Sequence, residues 1–92
     1  MEITVTYDDD RTVEVRPTPY NIVAFERHYK IGVGELRKDP KTEHVLWMAW
    51  HRLNQIGQEA ADFETFLQKL GPIDGVSYDA NPPLPPPAVS PT

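Results

Sequence analysis

The stretch DPKTEHVLWMAWHRLNQIG, residues 39–57, decides the fold of this chain. Aspartate followed by proline predicts a helix start, because the aspartate caps the helix and proline suits its first turn. Gly57 suits the left-handed position just past a helix end. Between these signals, apolar residues share an arc of about 140° at helical spacing, namely Val45, Leu46, Ala49, Trp50, Leu53 and Ile56. The pattern predicts one amphipathic helix that ends at Ile56.

Residues 1–16 predict a β-hairpin. Ile3, Val5 and Tyr7 alternate with polar residues, and Val13 and Val15 do so again. This two-residue period is typical of strands with one buried face. The run DDDR at residues 8–11 suits the turn between them. Because two strands alone are marginally stable in water, we expect their apolar face to lie against the helices.

Two shorter helices are predicted on either side of the long one. Thr18 and Pro19 open a first helix that runs to Lys30. Asp62 caps a last helix that stops at Gly71. Residues 35–38 are expected to form a single turn. The apolar faces of the two helices hold Ile22, Phe25 and Tyr29 in the first and Phe63, Phe66, Leu67 and Leu70 in the last.

The predicted fold class is α+β, with an N-terminal β-hairpin packed on three α-helices and a disordered Pro-rich C-terminal tail. The hairpin and helices occupy residues 1–75, and the flexible tail occupies residues 76–92. Six of the ten prolines lie between Pro82 and Pro91, a composition that favours extended polyproline II conformation. The tail is either a solvated spacer or, through its P-x-x-P pattern, a ligand for an aromatic groove.

Composition and charge exclude several classes of function. The net charge is −5, and no basic block forms a face that would hold a phosphate backbone or an anionic lipid surface. Without cysteine there is no disulfide, thiolate metal site or cysteine nucleophile. No apolar run approaches the ~18 residues of a membrane span, and the acidic N-terminus does not resemble a signal peptide. We therefore expect a soluble, cytoplasmic protein that binds neither nucleic acid nor membrane.

The sequence predicts no catalytic residues, no metal site and no cofactor. His44 and His51 are separated by about 10.5 Å of helical rise, too far to share one metal ion. Both fall opposite the apolar stripe, which predicts exposed side chains, and His28 lies on a different helix. The only serines, Ser77 and Ser90, lie in the Pro-rich end, where no oxyanion hole is expected. We therefore predict that the protein is not an enzyme.

Apolar side chains outside the main stripe are candidates for partner binding. Trp47 and Met48 flank the stripe, and aromatic residues dominate protein-binding hot spots. Together with Tyr29 and Trp50 they form the predicted partner-binding set. The alternative is that Trp47 packs beneath the hairpin or the first helix and completes the core. The exposed edge of the hairpin predicts self-association into a homo-oligomer, through Ile3, Val5 and Tyr7.

Several short motifs, taken in order, resemble the tail assembly chaperones of long-tailed phages, particularly phages that infect actinobacteria. They are RPT at 16–18, AFER at 24–27, WMAWHRL at 47–53, Gly57 and DFETFL at 62–67. The resemblance covers about residues 16–70. Its most specific part is the order of a Phe-Glu helix, a Trp-rich helix that ends in glycine, and a short Phe-Glu-x-Phe helix. The chain departs from the family at Tyr20-Asn21, where an acidic residue is expected, and at Phe66, where tryptophan is frequent.

The resemblance implies a non-enzymatic chaperone of virion morphogenesis. In that family the protein binds the tape measure protein, which is long, helical and aggregation-prone, in the host cytoplasm. A programmed ribosomal frameshift usually makes a longer product that recruits the tail tube protein, and this chain would be the short form. The alternative hypothesis is a small adaptor module that binds partners through its helical surface or its Pro-rich tail.

Overall fold

A computed structural model describes residues 1–72 and 76–79 of the chain. The predicted α+β fold, a hairpin followed by helices, is confirmed. Residues 35–38, expected to form a single turn, belong to a helix of their own that spans Val33–Lys38. In chain order the described elements are β1 (Glu2–Thr6), β2 (Thr12–Val15), α1 (Pro19–Tyr29), α2 (Val33–Lys38), α3 (Thr42–Gln55), α4 (Phe63–Gln68) and β3 (Val76–Asp79).

The sheet has a third strand that the sequence analysis placed in the tail. β1 pairs with β2 in the predicted antiparallel hairpin, with Val5 opposite Val13. On its other side β1 pairs antiparallel with β3, with Glu2 opposite Asp79. The strand order is therefore β2-β1-β3, and β3 supplies hydrogen-bond partners to backbone groups of β1 that a hairpin alone leaves unpaired. The predicted disordered tail beyond residue 79 lies outside the described residues.

The predicted self-association edge is wrong, because β1 is the central strand of the described sheet. Ile3 and Val5 are fully buried, and Tyr7 is 3% exposed. Their side chains belong to the hydrophobic core beneath the helices. A second copy of the chain therefore cannot pair with this strand or reach these side chains.

Helix α3 forms the centre of the core, since it packs against α1, α4, β1 and β2. Contacts on so many sides bury more of the helix than one stripe: Val45, Leu46, Trp47, Met48, Ala49 and Leu53 are all buried. Ile56, predicted to belong to the buried stripe, is 45% exposed because it lies just past the last helical residue. The opposite walls of the core include Ile3, Val15, Phe25, Leu36 and Phe66.

The predicted helix starts are confirmed at α1 and α4 and wrong at α3. The Asn21 carboxamide oxygen accepts a hydrogen bond of 2.8 Å from the Thr18 backbone N–H. The Asp62 carboxylate accepts one of 2.8 Å from the Thr65 backbone N–H. Asp39 instead ends α2, with φ −142° and ψ 80°, because the residue before a proline is sterically kept out of the helical region.

Candidate functional site

Helices α1 and α3 run antiparallel and bring a group of aromatic and imidazole rings together along their line of contact. The start of α1 meets the end of α3 where Asn21 contacts His51 and Gln55. The end of α1 meets the start of α3 where Tyr29 contacts Glu43. We call six of these rings the aromatic seam: Tyr20, His28, Tyr29, His44, Trp47 and His51.

The rings of the aromatic seam follow one another at contact distance. Trp47 is the centre, with the imidazole of His51 stacked on its indole at 4.9 Å between centroids and that of His28 at 4.8 Å. Tyr20 extends the seam from His51 at 5.5 Å. Tyr29 lies 4.6 Å from His28 and 4.4 Å from His44, at the other end. Aromatic pairs at these separations are attractive beyond their buried area.

Exposure differs along the seam. Tyr20, at one end, is 63% exposed. His28 is also exposed, whereas the rings of Tyr29, His44 and His51 are half-buried. Trp47 is 7% exposed and lies beneath these rings. The site is therefore a shallow aromatic strip on the protein surface that is supported from below by an indole.

A buried carboxamide fixes the protonation state at one end of the seam. Asn21 is fully buried. Its oxygen faces the Thr18 backbone N–H, so its nitrogen must be the group that donates to His51 Nδ1, at 2.8 Å, and to Gln55 Oε1, at 3.1 Å. His51 Nδ1 therefore accepts, and the imidazole is neutral with its proton on Nε2. Burial also lowers the pKa of His51.

The other end of the seam is held by a phenol and a carboxylate. Tyr29 Oη donates a hydrogen bond of 2.8 Å to Glu43 Oε2. Burial, and then this hydrogen bond, raise the pKa of Tyr29, so its hydroxyl stays protonated. Next to this end is an open groove of about 180 Å³ lined by Ile31, Glu35, Asp39, Lys41 and His44.

The predicted partner-binding residues occupy different environments. Tyr29 and Trp50 are half-buried, and Trp47 packs against α1, as the alternative interpretation predicted. Met48 is fully buried and is not accessible to a partner, because the sheet and helices surround α3 at this level. Trp50 lies on the side of α3 that faces α4, where its indole N–H donates to the carbonyl of Ala61 at 2.9 Å.

The sequence analysis did not predict that all three histidines belong to the aromatic seam. His44 and His51 were expected to be exposed, but both are half-buried in the aromatic seam. Their spacing to Trp47, three residues before and four after, places all three on one helical face. The contributions of Tyr20 and His28 depend on the pairing of α1 with α3, for which the sequence has no local signal. Across residues 1–72 and 76–79, no cluster of three or more potential ligands is placed to hold a metal ion.

A second groove, of about 300 Å³, lies between the outer strand β2 and the end of α3. Five ionisable groups of the described residues have shifted pKa values, and none of them lines this groove or the groove beside Tyr29. They are Tyr7, Tyr29, His51, Glu59 and Asp62. The second groove is lined by Glu14, Val15, Arg16, Arg52, Leu53, Ile56 and Gln58.

No protein family, curated protein or solved structure matches this chain. Among the helices of the described part of the chain, none has the length and apolar character needed to cross a bilayer.

Proposed function

We propose that this protein is a non-enzymatic phage tail assembly chaperone that binds the tape measure protein in the host cytoplasm. Under this proposal it is the short form of a frameshifted pair, and the longer product helps to recruit tail tube subunits. The order of the motifs between residues 16 and 70 supports the proposal. The aromatic seam is the observation that carries it, because a binding protein needs an accessible apolar surface.

The dimensions of the aromatic seam suit a helical client. The exposed rings Tyr20 and His28 are eight residues apart on α1, which corresponds to about 12 Å, or just over two turns of a helix laid alongside. An amphipathic helix binds such a strip by placing its apolar face on the rings. Tyr20 and His28 supply exposed contact area, and Trp47 supplies a rigid base. Tape measure proteins are long and helical, so they offer many such segments.

Several copies of a chaperone are needed to cover a long client, and the homo-oligomer remains a prediction. Because β1 is the central strand of the described sheet, it is not free to pair with a second copy. The outer strand β2 is therefore the better candidate for this contact. The groove beside β2, which Glu14, Val15 and Arg16 line from the strand, lies at this edge of the sheet.

The proposal is tested by measuring the affinity of the full chain for overlapping synthetic peptides of a tape measure protein by calorimetry. The double variant Tyr20→Ala/His28→Ala removes the two exposed rings of the seam and is expected to bind at least about tenfold more weakly, since truncation of a hot-spot residue costs more than about 1 kcal/mol. Ile56→Ala removes similarly exposed apolar area outside the seam and is expected to bind normally. Absence of binding to every peptide, or equal weakening in both variants, contradicts the proposal.

Substitutions in the Pro-rich tail distinguish the adaptor hypothesis from the chaperone hypothesis. Replacing Pro83, Pro85 and Pro86 by serine removes the P-x-x-P pattern without touching β3. An adaptor that acts through this pattern loses its partner, whereas the chaperone retains its client. The gene neighbourhood gives a second check: the chaperone predicts an overlapping −1 reading frame, followed by one very long frame rich in heptads.

A further inference from the structure

We propose that the outer strand β2 pairs antiparallel with β2 of a second copy of the chain, so that both sheets join into one continuous sheet around a two-fold axis at Val13. The partner at this edge is thus an identical chain. The pairing specifies the contact between copies that the proposed function predicts, while its evidence and its test concern the chain alone.

The outward-facing backbone groups of β2 belong to Thr12 and Glu14. The Tyr7 backbone N–H donates to the carbonyl of Arg11 at 2.8 Å. Since residues of an antiparallel strand alternate in the side to which they hydrogen-bond, every second residue from Arg11 onward bonds to β1. Thr12 and Glu14 direct their N–H and C=O groups away from β1, where no backbone group of the described residues pairs with them. Such an edge is a template for another strand.

The side of this edge that faces the helices is also open. A groove of about 300 Å³ separates β2 from the end of α3. The strand has four residues, Thr12–Val15, and contains neither proline nor glycine, so each of its residues can take part in a regular ladder. A second strand therefore has both the backbone partners and the space that it needs.

An axis at Val13 matches the backbone groups of the two copies. Thr12 then lies opposite Glu14 of the second copy, on both sides of the axis, and each such pair exchanges two hydrogen bonds. Val13 lies opposite Val13. Its half-buried side chain, which packs against the hydrophobic core, is covered by the same apolar side chain of the second copy.

The charges at the two ends of β2 have opposite signs. The turn residue Asp10, next to the exposed Asp8 and Asp9, precedes the strand, and Arg16 follows it. Among the described residues, no cation lies within ion-pair distance of these three aspartates. Arg16 contacts Glu2 at 2.9 Å, but most of its side chain is exposed. In the proposed register, Arg16 lies beside Asp10 of the second copy at both ends of the ladder, which stabilises the pair.

The neighbouring registers are less favourable. An axis at Glu14 places this residue directly opposite itself, and like charges in that position repel. An axis at Thr12 places Asp10 opposite Glu14, with the same result. An axis at Val15 requires hydrogen bonds from Thr18, whose backbone N–H already donates to a side chain of α1. Charge and hydrogen bonding therefore select the axis at the residue between Thr12 and Glu14.

Single cysteines locate the axis, because the sequence contains no cysteine. Val13→Cys places two thiols across a non-hydrogen-bonded pair, where the Cα atoms are about 4.5 Å apart and a disulfide can form. Thr12→Cys and Glu14→Cys are the controls, since their side chains are more exposed but lie away from the axis. In concentrated protein with oxidised glutathione, Val13→Cys is expected to give at least about fivefold more disulfide-linked dimer than either control. In urea, which unfolds the chain, the three variants should crosslink equally.

Two substitutions at Glu14 test the backbone hydrogen bonds. Proline lacks the N–H but is tolerated on an edge strand where that N–H faces outward, whereas alanine keeps it. A short strand pair makes a small interface, so the measurement is sedimentation equilibrium at high protein concentration. Glu14→Ala is expected to dimerise, and Glu14→Pro to dimerise at least about tenfold more weakly. Both variants should keep the circular dichroism spectrum of the unmodified chain.

Three results would overturn the proposal. They are crosslinking in a folded control variant that equals or exceeds that of Val13→Cys, equal dimerisation of the proline and alanine variants, and an unmodified chain that is monomeric at every concentration. The last result would leave the edge of β2 to a different partner. None of the samples contains a client peptide, so failed pairing of β2 and failed client binding are separate results.

Discussion

The side chain of Asn21 connects the start of α1 to the protonation state of His51. Its oxygen is occupied by the Thr18 backbone N–H, and its nitrogen faces Nδ1 of the imidazole. Protonation of His51 would place two donors against each other, and burial further lowers its pKa below 6.5. As the pH falls below 6.5, the unfolded chain therefore binds a proton before the folded chain does, and His51 makes folding less favourable.

Replacing Asn21 by aspartate is expected to raise the pKa of His51 above its value in the unmodified protein. The carboxylate still accepts from Thr18, but it places a negative charge beside Nδ1 and so favours the imidazolium. The measurement is an NMR titration of the His51 ring protons. Gln68→Glu adds the same charge on α4 and serves as the control. An unchanged His51 titration in the Asn21→Asp protein would show that the carboxamide does not set its protonation state.

At the level of secondary-structure elements, two glycines have opposite relations to their helices. Gly57 follows the end of α3 with φ +78°, a conformation in which a side chain is strained. Gly34 lies inside α2, and a Cβ atom built on it meets nothing within 4 Å. The backbone conformation at position 57 therefore requires glycine, whereas glycine at position 34 only lowers the stability of α2.

The two alanine variants are expected to change stability in opposite directions. Gly57→Ala should lower the free energy of unfolding by about 1 kcal/mol, because of left-handed strain. Gly34→Ala should raise it by up to about 1 kcal/mol, because alanine restricts the unfolded chain and favours the helix. Urea denaturation followed by circular dichroism measures both. A Gly57→Ala protein as stable as the unmodified chain would contradict the backbone argument.

At the level of the whole molecule, one buried carboxylate joins the sheet to the last helix. Glu59 is 4% exposed and accepts hydrogen bonds from Tyr7 Oη at 2.9 Å, Lys69 Nζ at 2.8 Å and the Ala61 backbone N–H at 3.2 Å. Burial alone would raise the pKa of Glu59, but these donors lower it. Burial, together with Glu59, raises the pKa of Tyr7 to about 12.

Glu59→Gln is expected to destabilise the protein by about 2 kcal/mol at pH 7, since it leaves buried hydrogen-bonding groups poorly matched. The pKa of the carboxyl is lowered on folding, so its contribution is complete above 4.5 and is lost as the pH falls through the folded value. The difference between the two proteins in urea denaturation should therefore shrink at acid pH. Glu14→Gln, at an exposed position of β2, is the control. A difference that does not depend on pH would contradict the assignment.

Local sequence signals were sufficient to predict most of the strands and helices. They were insufficient to predict which side chains of these elements are buried by tertiary packing. The alternation of Ile3, Val5 and Tyr7 predicted the hairpin, and Asp62 predicted the start of α4, because both signals act within a few residues. Met48 was predicted to be accessible because an amphipathic pattern assumes one buried face. Packing on several sides buried it instead.

The sequence alone established the hairpin, the three predicted helices and the absence of cysteine chemistry, because alternation, capping and composition are properties of short segments. Only the tertiary structure placed β3 beside β1 and brought Tyr20, His28 and His51 to Trp47. Those contacts join residues far apart in the chain, and their free energy depends on which surfaces remain to be buried after each element has formed. The aromatic seam is therefore a property of the fold, and no single segment of the chain contains it.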